Sequence, residues 1–205
     1  MSKEIRTFEF EVRAEQNEEH GHFLTGQPIV YNERTDMGWY DEIIDDGALT
    51  DTDLKDVRFL VNHNTDMIPL ARSRNNNTNS TMQMEVVPGA GMSIRVDLDI
   101  ENNADAKSLY SAVGRGDITG MSFMFMTDKD AWDDIDSDHP TRHIRSISKV
   151  FEVSAVTFPA YTQTSIQQRG MSEALDSAKT SLESVRSAKA EIERKKQKIR
   201  ILSEV

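Results

Sequence analysis

A mostly β domain with one or two embedded helices, followed by an amphipathic helix, is the architecture this sequence predicts, an α+β class. Three observations carry the prediction. Through about residue 165, apolar side chains recur at every second position, the period of a half-buried strand. Clusters of turn-forming residues, Asn75-Asn76-Asn77-Thr78-Asn79 and Pro88-Gly89-Ala90-Gly91, punctuate those runs. After Met171 the period changes, and Ala178, Val185, Ile192 and Ile199 recur every seven residues. The chain therefore divides into a first domain, residues 1–165, and a linker with a C-terminal helix, residues 166–205.

Taken in order, Phe8, Phe10 and Val12 alternate with Thr7, Glu9 and Glu11 and predict the first strand. Another is expected near 23–31. Val57, Phe59, Val61 and His63 share parity, so His63 is expected on the same sheet face as three apolar side chains. A strand near 81–87 lies between the two turn clusters. Met92, Ile94, Val96, Leu98 and Ile100 alternate with Ser93, Arg95, Asp97 and Asp99, the cleanest strand in the sequence. Asn102 or Asn103 can cap a helix supplied by Ala104 through Val113, with Gly114 ending it. Strands near 119–127 and 143–157 complete the domain. Closing the sheet would remove its edges.

Between those last strands runs Asp128-Lys129-Asp130-Ala131-Trp132-Asp133-Asp134-Ile135-Asp136-Ser137-Asp138. It lacks the glycine and terminal glutamate of a calcium loop and is expected to be a solvated surface loop. In the tail, Leu175, Leu182 and Leu202 join the seven-residue repeat, while Lys189, Lys195 and Lys196 interrupt a full coiled coil. Packing on its own domain and reservation for a partner both fit such a helix.

Composition excludes several functions. The absence of cysteine rules out disulfides, thiolate metal sites and a cysteine nucleophile. No apolar stretch approaches the ~20 residues that span a bilayer, and Met1-Ser2-Lys3-Glu4 has no apolar signal core. A soluble, untargeted chain without a membrane partner is expected. The net charge of −11 is uneven: residues 1–170 hold 16 Lys/Arg against 29 Asp/Glu, giving −13, and residues 171–205 hold 8 against 6, giving +2. An acidic body argues against nucleic acid, whose phosphates need Lys and Arg.

Three residues on separate strand-like segments supply a base, a hydroxyl and a carboxylate: His63, Ser122 and Glu152. They suit a nucleophile–base–orienter set if the fold brings them together, whatever their chain order. The plain alternatives are a small residue in a crowded sheet for Ser122 and a salt bridge to Arg142 or Arg145 for Glu152. A carboxylate flanked by Phe151 and Val153 is costly to bury unpaired, and an imidazole N–H would satisfy it. Backbone N–H groups, with Arg115 or Arg142, are the available oxyanion donors. A metal-dependent hydrolase built from His63, His139, His143 and nearby Asp residues is the weaker alternative, because the histidine spacing lacks a compact zinc signature.

The segments around these residues carry a resemblance. Phe59-Leu60-Val61-Asn62-His63-Asn64 running to Ile68-Pro69-Leu70-Ala71-Arg72, then Gly116-Asp117-Ile118-Thr119-Gly120-Met121-Ser122-Phe123-Met124-Phe125, then Phe151-Glu152-Val153-Ser154-Ala155-Val156-Thr157-Phe158-Pro159-Ala160-Tyr161, resemble in order the histidine, nucleophile and closing segments of the prohead proteases of tailed bacteriophages. These are serine peptidases that mature a capsid shell. The resemblance spans roughly residues 5–165. It departs at Ala71, where many relatives have glycine, and in the acidic insertion before Glu152.

That resemblance implies a small closed or nearly closed β-barrel flanked by helices, of the herpesvirus-protease (assemblin) type. It implies a serine endopeptidase with Ser122 as nucleophile, His63 as general base and Glu152 orienting His63, with His143 as the fallback third member. The implied substrates are the phage scaffold protein or the scaffold segment of the capsid protein, and the protease itself. The major capsid protein is a further partner, and self-association stays open. The setting is the host cytoplasm, inside the assembling prohead, with no cofactor and no metal. The alternative is a catalytically silent, scaffold-like assembly factor of the same fold. The C-terminal helix would serve as a scaffold-docking element or a self-cleaved tail.

Overall fold

Residues 3–8, 12–157 and 165–203 are described by the computed structural model. In chain order the elements are β1 (Lys3–Phe8), β2 (Val12–Asn17), β3 (Gly21–Val30), β4 (Arg34–Asp36), β5 (Asp41–Ile44), β6 (Asp56–Val61), β7 (Ala71–Arg74), β8 (Met82–Val87), β9 (Gly91–Asp97), α1 (Ala104–Gly114), β10 (Gly120–Asp133), β11 (Thr141–Val156) and α2 (Ser165–Ser203). The mostly β, α+β reading and the C-terminal helix hold. The closed barrel does not: the strands form a seven-stranded sheet, β1-β10-β11-β5-β4 with β6 on β11 and β7 on β6, and a four-stranded sheet, β2-β3-β9-β8.

The topology shows why the large sheet stays open. One edge of β11 pairs with β10, while the other is shared by two parallel strands, β5 along Thr141–Ile144 and β6 along Glu152–Ala155. The sheet therefore branches at β11, and its described strands do not pair into a closed ring. Alternation across residues 7–12, read as one strand, spans the passage from β1 in one sheet to β2 in the other; residues 9–11 lie outside the described residues.

Both sheets and α1 bury their apolar faces in one core. Leu24, Ile29, Met92, Ile94 and Val96 come from the small sheet, Val57, Phe59, Met121, Phe123, Phe125 and Val153 from the large one, and Leu109 and Val113 from α1. Each fully buried side chain of this size contributes about 1.5–3 kcal/mol. Gly91 is required where β9 meets β3, since a Cβ there would lie 2.0 Å from Ile29 O. Asn103 caps α1 as expected, its side chain accepting from Asp105 N and Ala106 N. The helix ends at Gly114 as expected, and the left-handed residue beyond it is Gly116, at φ 78°.

The acidic run is not a loop for most of its length. β10 continues through Asp133, because Trp132 is buried and stacks on Trp39 with centroids 5.8 Å apart. Only residues 134–140 form the connection to β11. On this second cluster, which contains Met37, Tyr40 and Trp132, α2 lays Ala178 and Leu182. Trp132 Nε1 donates to Ser181 Oγ at 3.0 Å, and Ser181 Oγ donates to Asp130.

Candidate active site

β6 ends at Val61, and the next two residues leave the strand, Asn62 at φ 52° and His63 at φ 56°. Asn and His are among the side chains that enter this left-handed region more readily than most. Bonds to the end of β11 hold the turn. Asn62 N donates to Ala155 O, Thr157 N to Asn62 Oδ1, and Asn62 Nδ2 to Thr157 Oγ1, each at 2.9 Å. This corrects the parity expectation: His63 does not continue the core face of Val57 and Phe59. The two left-handed residues turn it to the other face of the sheet.

On that other face β11 presents Glu152 and Ser154, two residues apart and so on one side of the strand. Ser122 of β10 lies directly across from Ser154. His63 Nδ1 meets Glu152 Oε1 at 2.6 Å. Ser154 Oγ donates to Glu152 Oε2 at 2.6 Å and accepts from His63 N at 3.1 Å. His63, Ser122, Glu152 and Ser154 are all buried, none more than 3% exposed. A carboxylate only accepts, so His63 Nδ1 carries the hydrogen and, in the neutral ring, the lone pair falls on Nε2. His63 Nε2 is buried and has no hydrogen-bond partner among the described residues.

The Ser122 hydroxyl donates to Arg6 O of β1 at 2.6 Å. β1 is itself held by buried charges. Arg6 makes a two-pronged contact with Glu42, its Nε on Oε1 and its Nη2 on Oε2 at 2.6 Å; Nη2 also donates to Glu4 Oε2 at 2.7 Å. Arg142 Nη1 donates to the same Glu4 oxygen at 2.7 Å, and Arg142 Nε to Asp130 at 2.8 Å. Burial alone would raise the Glu4 carboxyl, but Arg6 and Arg142 outweigh it and hold it at about 2, against an ordinary 4.5. Burial also pushes Tyr40, beside these charges, up to about 12.

The fold thus brings His63 and Glu152 into contact and sets Ser122 of β10 on the same sheet face, opposite Ser154 and across β11 from β6. It places His143 elsewhere, nine residues back along β11, with Nδ1 on Asp45 at 2.7 Å and Nε2 3.4 Å from Asp133. His139 pairs with Asp41, and the group of potential metal ligands that forms among the described residues, Asp36, Asp41 and His139, contains neither His63 nor His143. Glu152 hydrogen-bonds to His63, while Arg142 and Arg145 pair with other carboxylates. Arg142 is committed to the buried network, and Arg115 pairs with exposed Asp117.

Sequence reasoning missed Ser154 and Asn62. Ser154 was detectable from its spacing of two from Glu152, and Asn62 from its position beside His63. The Arg6 carbonyl had no local signal, since 116 residues separate it from Ser122. No curated protein and no solved structure matches the chain. A family model described as caudovirus prohead serine protease does match, over residues 8–177. That span runs from the end of β1 into α2 and contains His63, Ser122, Glu152 and Ser154, so the chain belongs to the caudovirus prohead serine protease family, peptidases of phage capsid maturation.

Proposed function

We propose that Ser122 is the nucleophile of this capsid-maturation protease, His63 its general base and Glu152 the group that orients the imidazole. The supporting observation is the 2.6 Å contact of His63 Nδ1 with Glu152, on the sheet face that carries Ser122, with Nε2 unpartnered among the described residues. The resting Ser122 hydroxyl lies on Arg6 O, so attack begins with rotation about χ1 from one staggered well to another. Ser122 Oγ then bonds to the scissile carbonyl carbon while its proton passes to His63 Nε2. His63 returns that proton to the leaving amine as the C–N bond breaks. Water, deprotonated by the same nitrogen, releases the acyl group from Ser122.

The substrates are the scaffold protein or the scaffold segment of the capsid protein, together with the protease itself. The reaction takes place inside the assembling prohead in the host cell, where confinement raises the effective concentration of substrate. The test is hydrolysis of a scaffold fragment, followed by mass spectrometry. Ser122→Ala and His63→Ala each abolish cleavage with the fold retained by circular dichroism, and the double variant is no worse than either. A fluorophosphonate probe labels Ser122 in the unaltered protein. Cleavage at the normal rate by either single variant refutes the assignment.

A further inference from the structure

The apolar stripe of α2 continues past the body of the protein. Ala178 and Leu182 are buried, and Val185 is half-buried beside them. Arg186 Nε then donates to Ile135 O at 2.7 Å, and Lys189 Nζ meets Asp136 at 2.5 Å. From 186 to 202 every side chain is exposed. The seven-residue repeat nevertheless persists through Ile192 and Ile199, which are 54% and 67% exposed, and Leu202 adjoins them at 78%. A heptad step rotates the stripe by only ~20°, so these residues extend the line begun by Ala178 and Val185. Lys196 sits in the stripe between the two isoleucines, with Lys195 beside it. From 190 to 203 there are five Lys/Arg against two Glu.

We propose that residues 190–203 of α2 form a docking surface for an acidic amphipathic helix of a different protein. Ile192, Ile199 and Leu202 pack on its apolar stripe, and Lys195 and Lys196 face its carboxylates. The surface is read from geometry and charge; only the idea that its occupant is a capsid-assembly protein rests on the function proposed above.

Charge selects this occupant. Two copies of α2 paired in parallel would place Lys196 against Lys196 in the seam, and each copy carries a net +3 over 190–203, five Lys/Arg less two Glu. The body of a second copy offers no apolar counterpart: outside α2, the large exposed apolar side chains among the described residues are Ile68 and Val86, on separate segments. A helix lying on a bilayer buries a broad face rich in Trp, Phe or Leu. This stripe is narrow and carries no aromatic residue from 190 to 203. An acidic helix satisfies both the isoleucines and the lysines.

The test uses the full chain and two synthetic helical peptides about three heptads long, with identical Leu/Ile stripes flanked by Glu in one and by Lys in the other. Fluorescence anisotropy is expected to show binding of the Glu peptide only, weakened at least about tenfold between roughly 50 and 500 mM salt. Ile192→Ser with Ile199→Ser is expected to weaken it about tenfold or more, and Lys196→Glu to weaken the Glu peptide selectively. Both variants alter exposed positions, and circular dichroism checks that the helix persists. Equal binding of the two peptides, or none of either, overturns the proposal. So does binding to phosphatidylserine vesicles in place of the peptide, or a concentration-dependent dimer lost in the isoleucine double variant. If the protein binds the Glu peptide but cleaves no scaffold fragment, the docking surface stands and the peptidase assignment falls.

Discussion

Ser154 touches two groups that the proposed chemistry needs in register, the second oxygen of Glu152 and the backbone N–H of His63. Its removal leaves a buried N–H without its acceptor and a carboxylate oxygen without its donor, a loss of about 1.5–3 kcal/mol for a bond to a charged group. Ser154→Ala is therefore expected to lower kcat by roughly 10- to 100-fold with KM little changed, because Ser154 positions the base and does not contact substrate. Steady-state kinetics on a scaffold peptide check the split; a rise in KM at constant kcat would place Ser154 in substrate binding instead. Glu152→Gln is expected to be milder than Ser122→Ala, since the amide keeps one acceptor for His63 Nδ1–H. His143→Ala is expected to be close to the unaltered protein, because His143 pairs with Asp45 and Asp133 at the far end of β11.

Strand β1 illustrates how an element is fixed by charge. Glu4 and Arg6 project into a buried network with Glu42 of β5, Arg142 of β11 and Asp130 of β10, and Asp130 accepts from Ser181 of α2. Glu4 has a folded value near 2, below its ordinary 4.5. It therefore contributes stability that is fully present above 4.5 and is lost as pH falls toward 2. Urea unfolding at a series of pH values is expected to show a steep loss in that window. Glu4→Gln is expected to be about 3–5 kcal/mol less stable at neutral pH, because two buried guanidiniums lose a carboxylate, and to show a shallower acid slope. Part-buried Asp41, Asp53 and Asp56 and exposed Asp136, each also held low by a hydrogen bond to a basic side chain, and Asp99, held low by hydrogen bonds from Asn102, leave some slope in the variant. An unchanged slope would assign the acid sensitivity to these aspartates and not to Glu4.

At the scale of the whole molecule, α2 has two halves with different duties. The half through Lys189 belongs to the body: Ala178 and Leu182 are buried, and Ser181 completes the bond chain from Trp132 to Asp130. Ending the chain after Lys189 is expected to leave the melting temperature and peptidase activity nearly unchanged. Ending it after Gly170 removes Leu182, worth about 1.5–3 kcal/mol, and exposes Trp132 and Tyr40. That truncation is expected to lower stability by several kcal/mol and to increase aggregation, as read by calorimetry and light scattering. Equal stability of the two truncations would show that α2 contributes nothing to the body.

The sequence by itself determined what local periodicity can encode. Alternation in Met92–Leu98 yields β9, Asn103 yields the start of α1, and the heptad positions from Ala178 yield α2, because each depends on neighbours within one or two turns or pleats. It also pointed to the chemistry, since a hydroxyl, an imidazole and a carboxylate each stood in a segment with a recognisable family pattern. Tertiary structure decided which of these meet. A two-residue pleat fixes the face of Glu152 and Ser154, but the face of His63 depends on a left-handed turn tied to Asn62 and the end of β11. The openness of the large sheet, the burial of Trp132 within an acidic run, and the carbonyl of Arg6 against Ser122 all arise from pairings between distant segments. Strand pairing has no local code beyond alternation, so the partners of β11, and with them the neighbours of the candidate site, appear only in the folded chain.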